Sequence, residues 1–191
     1  MIRVSPTEPP PDFHEKVEKR GKEWLSTHNE KQKLPRLWDP YRHPLYIQYR
    51  GICAYTGLRI HELGMSLDHF LPTSKFRDLA FTWSNYRLTS SSINSRKGDR
   101  TGILDPFEIP DRAFLLRLDT GHVSINEAAF SGNEQIGKAR KLLEILPMNI
   151  IKNTYMQLLD DFMHGHISEK KLSEDAPFLY EELRRQHIIK Q

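Results

Sequence analysis

The amino-acid sequence predicts an α+β fold, a small core of short strands and one helix flanked by helical segments on both sides. Three observations carry this expectation. Stretches near the N-terminus and from about Asn133 onward space apolar residues among charges at helical intervals. Between Gly51 and Pro72 the period shortens, and ICAYTG and MSLDHFLP are brief apolar runs separated by a polar loop, as strands are. At 191 residues, 38% hydrophobic and 28% charged, the chain can build one substantial core but not a second large independent domain.

The elements follow in order. TEPPPDF is extended, because prolines lack amide donors and disfavour helix in the residue before them. FHEKVEKRGKEWLSTH places Phe13, Val17 and Trp24 on one side of a surface helix, with Gly21 as its weak point. A Lys-rich linker, NEKQKLPRLWDP, leads into a short helix, HPLYIQYR, and Trp38, Tyr41, Tyr46 and Tyr49 are expected to pack in a core rather than stack on bases. The two strand-like runs come next, then a loop, TSKFRDLAFTW, a third strand candidate, NYRL, and a helix start, SSSINSRKG, whose serines can cap it. FLLRLDTGHVSIN reads as a hairpin about Asp119-Thr120-Gly121, and EQIGKARKLLEIL, IIKNTYMQLLDDFMHG and SEDAPFLYEELRRQH read as helices. The expected organisation is an N-terminal part (residues 1–49), a core (50–104) and a hairpin with helices (105–191) within one compact unit.

Composition narrows the function classes. No run approaches the roughly 18 to 20 apolar residues of a membrane span, and MIRVSPTEPPPDF lacks the apolar centre of a signal peptide, so a cytoplasmic location is expected. The single cysteine, Cys53, excludes an internal disulfide and any zinc site needing two thiolates from this chain. The net charge of +3 permits nucleic acid without demanding it. Its distribution says more: Lys75, Arg77, Arg87, Arg96, Lys97 and Arg100 face only Asp78 and Asp99 in the same segment.

That surplus adjoins Asp68-His69. Alone, such a pair caps a turn or satisfies a buried neighbour as readily as it catalyses. Asn85 and Asn94 follow it, and the order CAYTG, LDHFLP, SNYRL, INSRKGD over about residues 50 to 100 resembles the HNH, or ββα-metal, endonuclease family. The resemblance implies a ββα-metal core and hydrolysis of phosphodiesters. In-line attack by water needs a base, which imidazole supplies near neutral pH, and charge building on the phosphate oxygens needs a cation. By position, His69 resembles the general base, and Asp68 and Asn94 the holders of one divalent cation, Mg²⁺ or Mn²⁺. Asn85 resembles the family's middle Asn at the catalytic site, which orients the loop and the histidine. Adjacent strand residues point to opposite faces, so Asp68 and His69 share a site only if the backbone turns there.

Arg96 and Lys97 are expected to reach phosphate, with Lys75 and Arg77 as further nucleic-acid contacts. Many members of the family carry two Cys-x-x-Cys pairs for a structural zinc. Here Cys53 with Thr56 and Ser90 with Ile93 stand in those places, so no structural zinc is expected, and packing of Ile52, Tyr55, Leu67 and Ile93 is expected to replace it. Cys53 reads as a buried apolar residue, His61 as a weak candidate for the cleft, and His164 and His166 as closing a helix around Gly165.

Over a wider span the chain resembles bacterial HNH proteins related to the nuclease subunit of Septu-type anti-phage defence systems, through MIRVSPTEPPPDF, GICAYTG, WSNYRL, NSRKGD, LDPFEI and FLYEELRRQ. This implies DNA as substrate and an ABC or SMC-like ATPase as partner, docked on the N-terminal segment and C-terminal helices. The contrasting function class is a catalytically silent nucleic-acid-binding or partner-binding protein on the same scaffold.

Overall fold

The computed structural model of the protein describes residues 1–189. A π-helical turn, His14–Lys19, runs into helix α1 (Arg20–Thr27), and α2 (Arg42–Gln48) follows the linker. Strands β1 (Met65–His69) and β2 (Tyr86–Ser90) pair antiparallel, with Leu67 opposite Leu88, Asp68 opposite Arg87 and His69 opposite Tyr86. Helix α3 (Ser91–Lys97) leaves β2 directly, its first turn capped by the Ser90 hydroxyl, which accepts from the Ile93 amide. A second antiparallel pair, β3 (Phe114–Leu116) and β4 (Val123–Ile125), precedes α4 (Asn133–Ile145), α5 (Met148–Met163), α6 (Glu169–Asp175) and α7 (Pro177–Arg185). The architecture is therefore mixed, helices with two small separate sheets. No described helix is long and apolar enough to cross a membrane.

One strand expectation is corrected. GICAYTG is not a strand but a tight turn: the Cys53 amide donates to the Leu58 carbonyl, the Gly57 amide to that of Cys53, and a single bridge joins Ile52 to Arg59. Gly51 and Gly57 have φ of 71° and 67°, the left-handed region a strand does not use. The apolar residues of this segment are explained by burial of the turn itself: Cys53, Ala54 and Tyr55 are fully enclosed, and the Ala54 amide docks on the Leu88 carbonyl of β2. The strand that pairs with MSLDH is YRLTS. The hairpin lies where expected, closed by the Arg117 amide donating to the His122 carbonyl, by the Gly121 amide donating to the Arg117 carbonyl, and by Gly121 at φ 67°.

Two apolar clusters hold β1, β2 and α3 from opposite sides. The first joins Phe13, Val17, Tyr41, Leu45 and Tyr49 to Leu67, Phe81, Trp83, Tyr86 and Leu88. Within it the Phe13 ring meets those of Tyr41 and Trp83 edge-on at 4.9 and 5.0 Å. Gly21 lies against Phe81, whose ring occupies the space a Cβ would need. The second gathers Cys53, Tyr55, Ile93, Ile103, Leu104 and the β3–β4 pair against Leu142, Tyr155, Leu172, Leu179 and Leu183 of the C-terminal helices. The Tyr155 hydroxyl donates to the Thr56 carbonyl at 2.6 Å, and Arg59 pairs with Asp175 at 2.6 Å, so these helices clamp the 51–60 turn. Much of their apolar surface is turned inward.

Candidate active site

Strand alternation divides the Asp-His pair, and the two side chains leave β1 in different surroundings. The His69 ring lies among aromatics, edge-on to Trp38 at 4.7 Å and to Tyr86 at 5.1 Å. Its Nε2 is 2.9 Å from the Ala80 carbonyl oxygen. A carbonyl only accepts, so Nε2 carries the proton and Nδ1 keeps its lone pair, with no hydrogen bond to a described residue. Burial lowers the His69 pKa below the ordinary histidine value; the Ala80 carbonyl and Asp68 oppose this in part, and Lys97 adds to it. The ring is thus a neutral imidazole with one nitrogen available as a base.

Asp68 points the other way and is 2% exposed. The Tyr55 hydroxyl donates to its Oδ2, and the Lys97 ammonium donates to its Oδ1 at 2.9 Å and to the His69 carbonyl at 2.7 Å. Burial, and then the Asp68 charge, push the Tyr55 pKa well above that of a free phenol, so Tyr55 stays a neutral donor. Asn94, on the inward face of α3, donates through Nδ2 to the Ser66 hydroxyl at 2.7 Å and the Leu67 carbonyl at 3.3 Å. The Leu67 contact fixes the amide orientation, leaving Oδ1 without a hydrogen bond to a described residue.

Asn85 is buried and braces the loop beyond β1. Its Oδ1 accepts from the Leu71 amide at 2.8 Å, and its Nδ2 donates to the Leu71 and Leu79 carbonyls at 3.0 and 3.2 Å. That loop also carries the Ala80 carbonyl that holds His69. Asp68, His69 and Asn94 line one cleft of about 260 Å³ with Pro72, Thr73, Ser74 and Asp99. A larger cavity of about 550 Å³, near Arg3, Arg112 and Arg185, contains none of the expected site residues.

The basic residues are less uniform than their sequence suggests. Lys97 was expected at phosphate, but it is completely buried. Its place three residues after Asn94 and four after Ile93 puts it on the face of α3 that covers β1, whereas Arg96 is on the exposed face. Arg87 is also buried, held by two bonds to Asp105 at 3.0 and 2.6 Å and lying 3.4 Å over the Phe107 ring. Arg77 bonds the Asn29 and Gln32 carbonyls and stacks on Trp24, tying the linker to the loop. Lys75 donates to the Asp99 carbonyl at 2.9 Å and remains half-exposed at the edge of the cleft. His61 is exposed and accepts from the Leu63 amide at 3.2 Å, outside the cleft.

A divalent cation does not fit this arrangement as it stands. Magnesium and manganese need several oxygen donors, but both Asp68 oxygens already accept hydrogen bonds and the carboxylate is enclosed. Among the described residues no three His, Cys, Asp or Glu side chains come together as a metal site. Sequence reasoning did not assign Tyr55 and Lys97 to Asp68. The available signal was that a buried carboxylate must find partners, and an aromatic hydroxyl and a lysine lay in the adjoining segments.

No curated protein matches the chain. The stretch that brings this turn, the two strands and α3 together, residues 53–103, matches the family model of an HNH endonuclease.

Proposed function

We propose that the protein is an HNH-type endonuclease that hydrolyses DNA phosphodiester bonds, with residues 50–104 as its ββα-metal nuclease core. The observation that carries this reading is the fixed tautomer of His69, a residue that lines one cleft with Asp68 and Asn94 and whose Nδ1 has no hydrogen bond to a described residue. In the reaction His69 Nδ1 takes a proton from water as its oxygen attacks phosphorus, the bond from phosphorus to the 3′ oxygen breaks, and that oxygen takes a proton from solvent to become the hydroxyl of the other fragment. That polarity, a 5′-phosphate and a 3′-hydroxyl, follows the family analogy. Asn85 holds the loop that fixes His69, and Arg96 and Lys75 offer charge to the flanking phosphates. HNH nucleases generally use a divalent metal, which Asp68 and Asn94 would be the residues to meet. The sequence resemblance to Septu-type systems supports a role as a cytoplasmic antiviral effector working with an ABC or SMC-like ATPase.

Purified protein incubated with supercoiled plasmid and Mg²⁺ or Mn²⁺ tests this. Nicking by the parent and its loss in His69→Ala are expected; equal activity in both sinks the assignment. A second reading, a silent DNA-binding or partner-binding protein, is favoured by one observation, the ammonium already seated on Asp68. Under that reading neither protein nicks, even with the ATPase added, while both bind DNA.

A further inference from the structure

His69 is the base of the reaction proposed above, and a base acts only when its lone pair is held in a productive orientation. The imidazole turns on a torsion whose minima are broad and roughly two-fold, so burial alone does not choose that orientation. One hydrogen bond, from Nε2 to the Ala80 carbonyl at 2.9 Å, holds the ring, and the same oxygen accepts from the Tyr86 hydroxyl at 2.8 Å. The remaining restraint is aromatic. Tyr86 and Trp38 both meet the ring nearly perpendicular to it, at 88° and 83°. Tyr86 comes from β2, the strand paired with β1. Trp38 comes from the linker before α2, outside the segment 53–103 that holds the turn, both strands and α3.

Trp38 is itself held in place. Its carbonyl accepts from the Tyr41 amide at 2.9 Å as the chain enters the 3₁₀ turn Asp39–Tyr41, and its ring lies 5.8 Å from that of Phe81. Tyr41 and Phe81 are buried in the first apolar cluster, and Arg77 ties the same linker to the loop after β1. The wall against His69 is therefore part of the packing of the N-terminal segment.

We propose that Trp38 is a positioning residue for His69: its indole keeps the imidazole seated on the Ala80 carbonyl, so that Nδ1 stays the nitrogen with the lone pair. This deepens the nuclease reading and rests on it. Without the indole the ring can turn about its last torsion, leave the shared carbonyl and exchange its proton between the two nitrogens. The N-terminal segment thereby serves catalysis, since the turn, the two strands and α3 do not complete the site by themselves.

Nuclear magnetic resonance of the ring nitrogens tests this without DNA. The full chain carries isotope-labelled histidine and is read near pH 8, where imidazole is neutral, and His69→Gln identifies the His69 signals among those of nine histidines. The parent is expected to show a single tautomer, protonated at Nε2. In Trp38→Ala the two nitrogen signals of His69 are expected to converge as the tautomers exchange, while those of His122 in the hairpin stay in place. Trp38→Phe, which keeps an aromatic edge, is expected to return the parent pattern. Parent signals retained in Trp38→Ala, or convergence that Trp38→Phe does not reverse, overturn the proposal.

Taking a large ring out of a packed cluster can unfold a protein, so a second measurement uses the parent alone. Magnetisation transfer between the ring protons of Trp38 and His69 is expected at a centroid separation of 4.7 Å, and its absence overturns the contact and the proposal with it. In the plasmid assay Trp38→Ala is expected to lower kcat about ten-fold with KM unchanged, as for lost orientation rather than lost binding; a change in KM alone overturns the positioning role. A parent that nicks no plasmid overturns the nuclease reading, and the spectra still decide whether Trp38 holds His69.

Discussion

The residue that most changes the picture of the site is Lys97. Its spacing from Asn94 was legible, but its direction was not, because α3 could have been rotated to present either Lys97 or Arg96 to solvent. The pairing of Lys97 with Asp68 is nearly completely buried, with side-chain exposures of 0% and 3%. Burying two charges costs solvation that their attraction repays only when both are present. Lys97→Ala should therefore lower the unfolding free energy by about 3–5 kcal/mol, measured by urea denaturation, by stranding the Asp68 charge. Pairing it with Asp68→Asn should restore part of that loss, because the stranded charge is gone. Additive losses would show that the two side chains do not act as a pair.

At the scale of elements, each piece of the core is held by a neighbour that is remote in sequence. The 51–60 turn is closed by its own hydrogen bonds, docked on β2 and clamped by α5 and α6. The loop after β1 depends on Asn85, and α1 depends on the absence of a side chain at Gly21. Replacing a helical glycine by alanine normally stabilises a helix by about 1 kcal/mol. Here the added methyl meets the Phe81 ring, which itself belongs to the aromatic cluster around β1 and β2. Gly21→Ala should destabilise the protein by about 1–3 kcal/mol, seen as a lower Tm in a thermal melt. A raised Tm would show that α1 does not lie against Phe81. The glycine read from sequence as a weak point of a helix is thus a point of close approach, and no local pattern distinguishes the two.

For the molecule as a whole, the charge available to a nucleic acid is smaller than the sequence surplus suggested. Arg87 and Lys97 are consumed by buried partners, and Arg77 by the linker, which leaves Arg96, Arg100 and Lys75 as the exposed cations near the cleft. Binding of duplex DNA should weaken with salt, and Arg96→Ala should reduce the slope of log K against log salt by about one while weakening different sequences alike. An unchanged slope would remove Arg96 from the DNA surface.

The sequence by itself determined the mixed fold class, the hairpin at Gly121, the helical C-terminal third and the order Asp68, His69, Asn85, Asn94, because periodicity, turn residues and motif order are local properties of the chain. It misread ICAYTG as a strand, since a short apolar run has the same composition whether it lies in a sheet or buries its own turn. Only the tertiary structure decided which nitrogen of His69 is available, which partners hold Asp68 and which cations face solvent. Those outcomes depend on the rotation of α3 over β1 and on contacts between residues far apart in sequence: burial selects among polar partners only after the elements have packed.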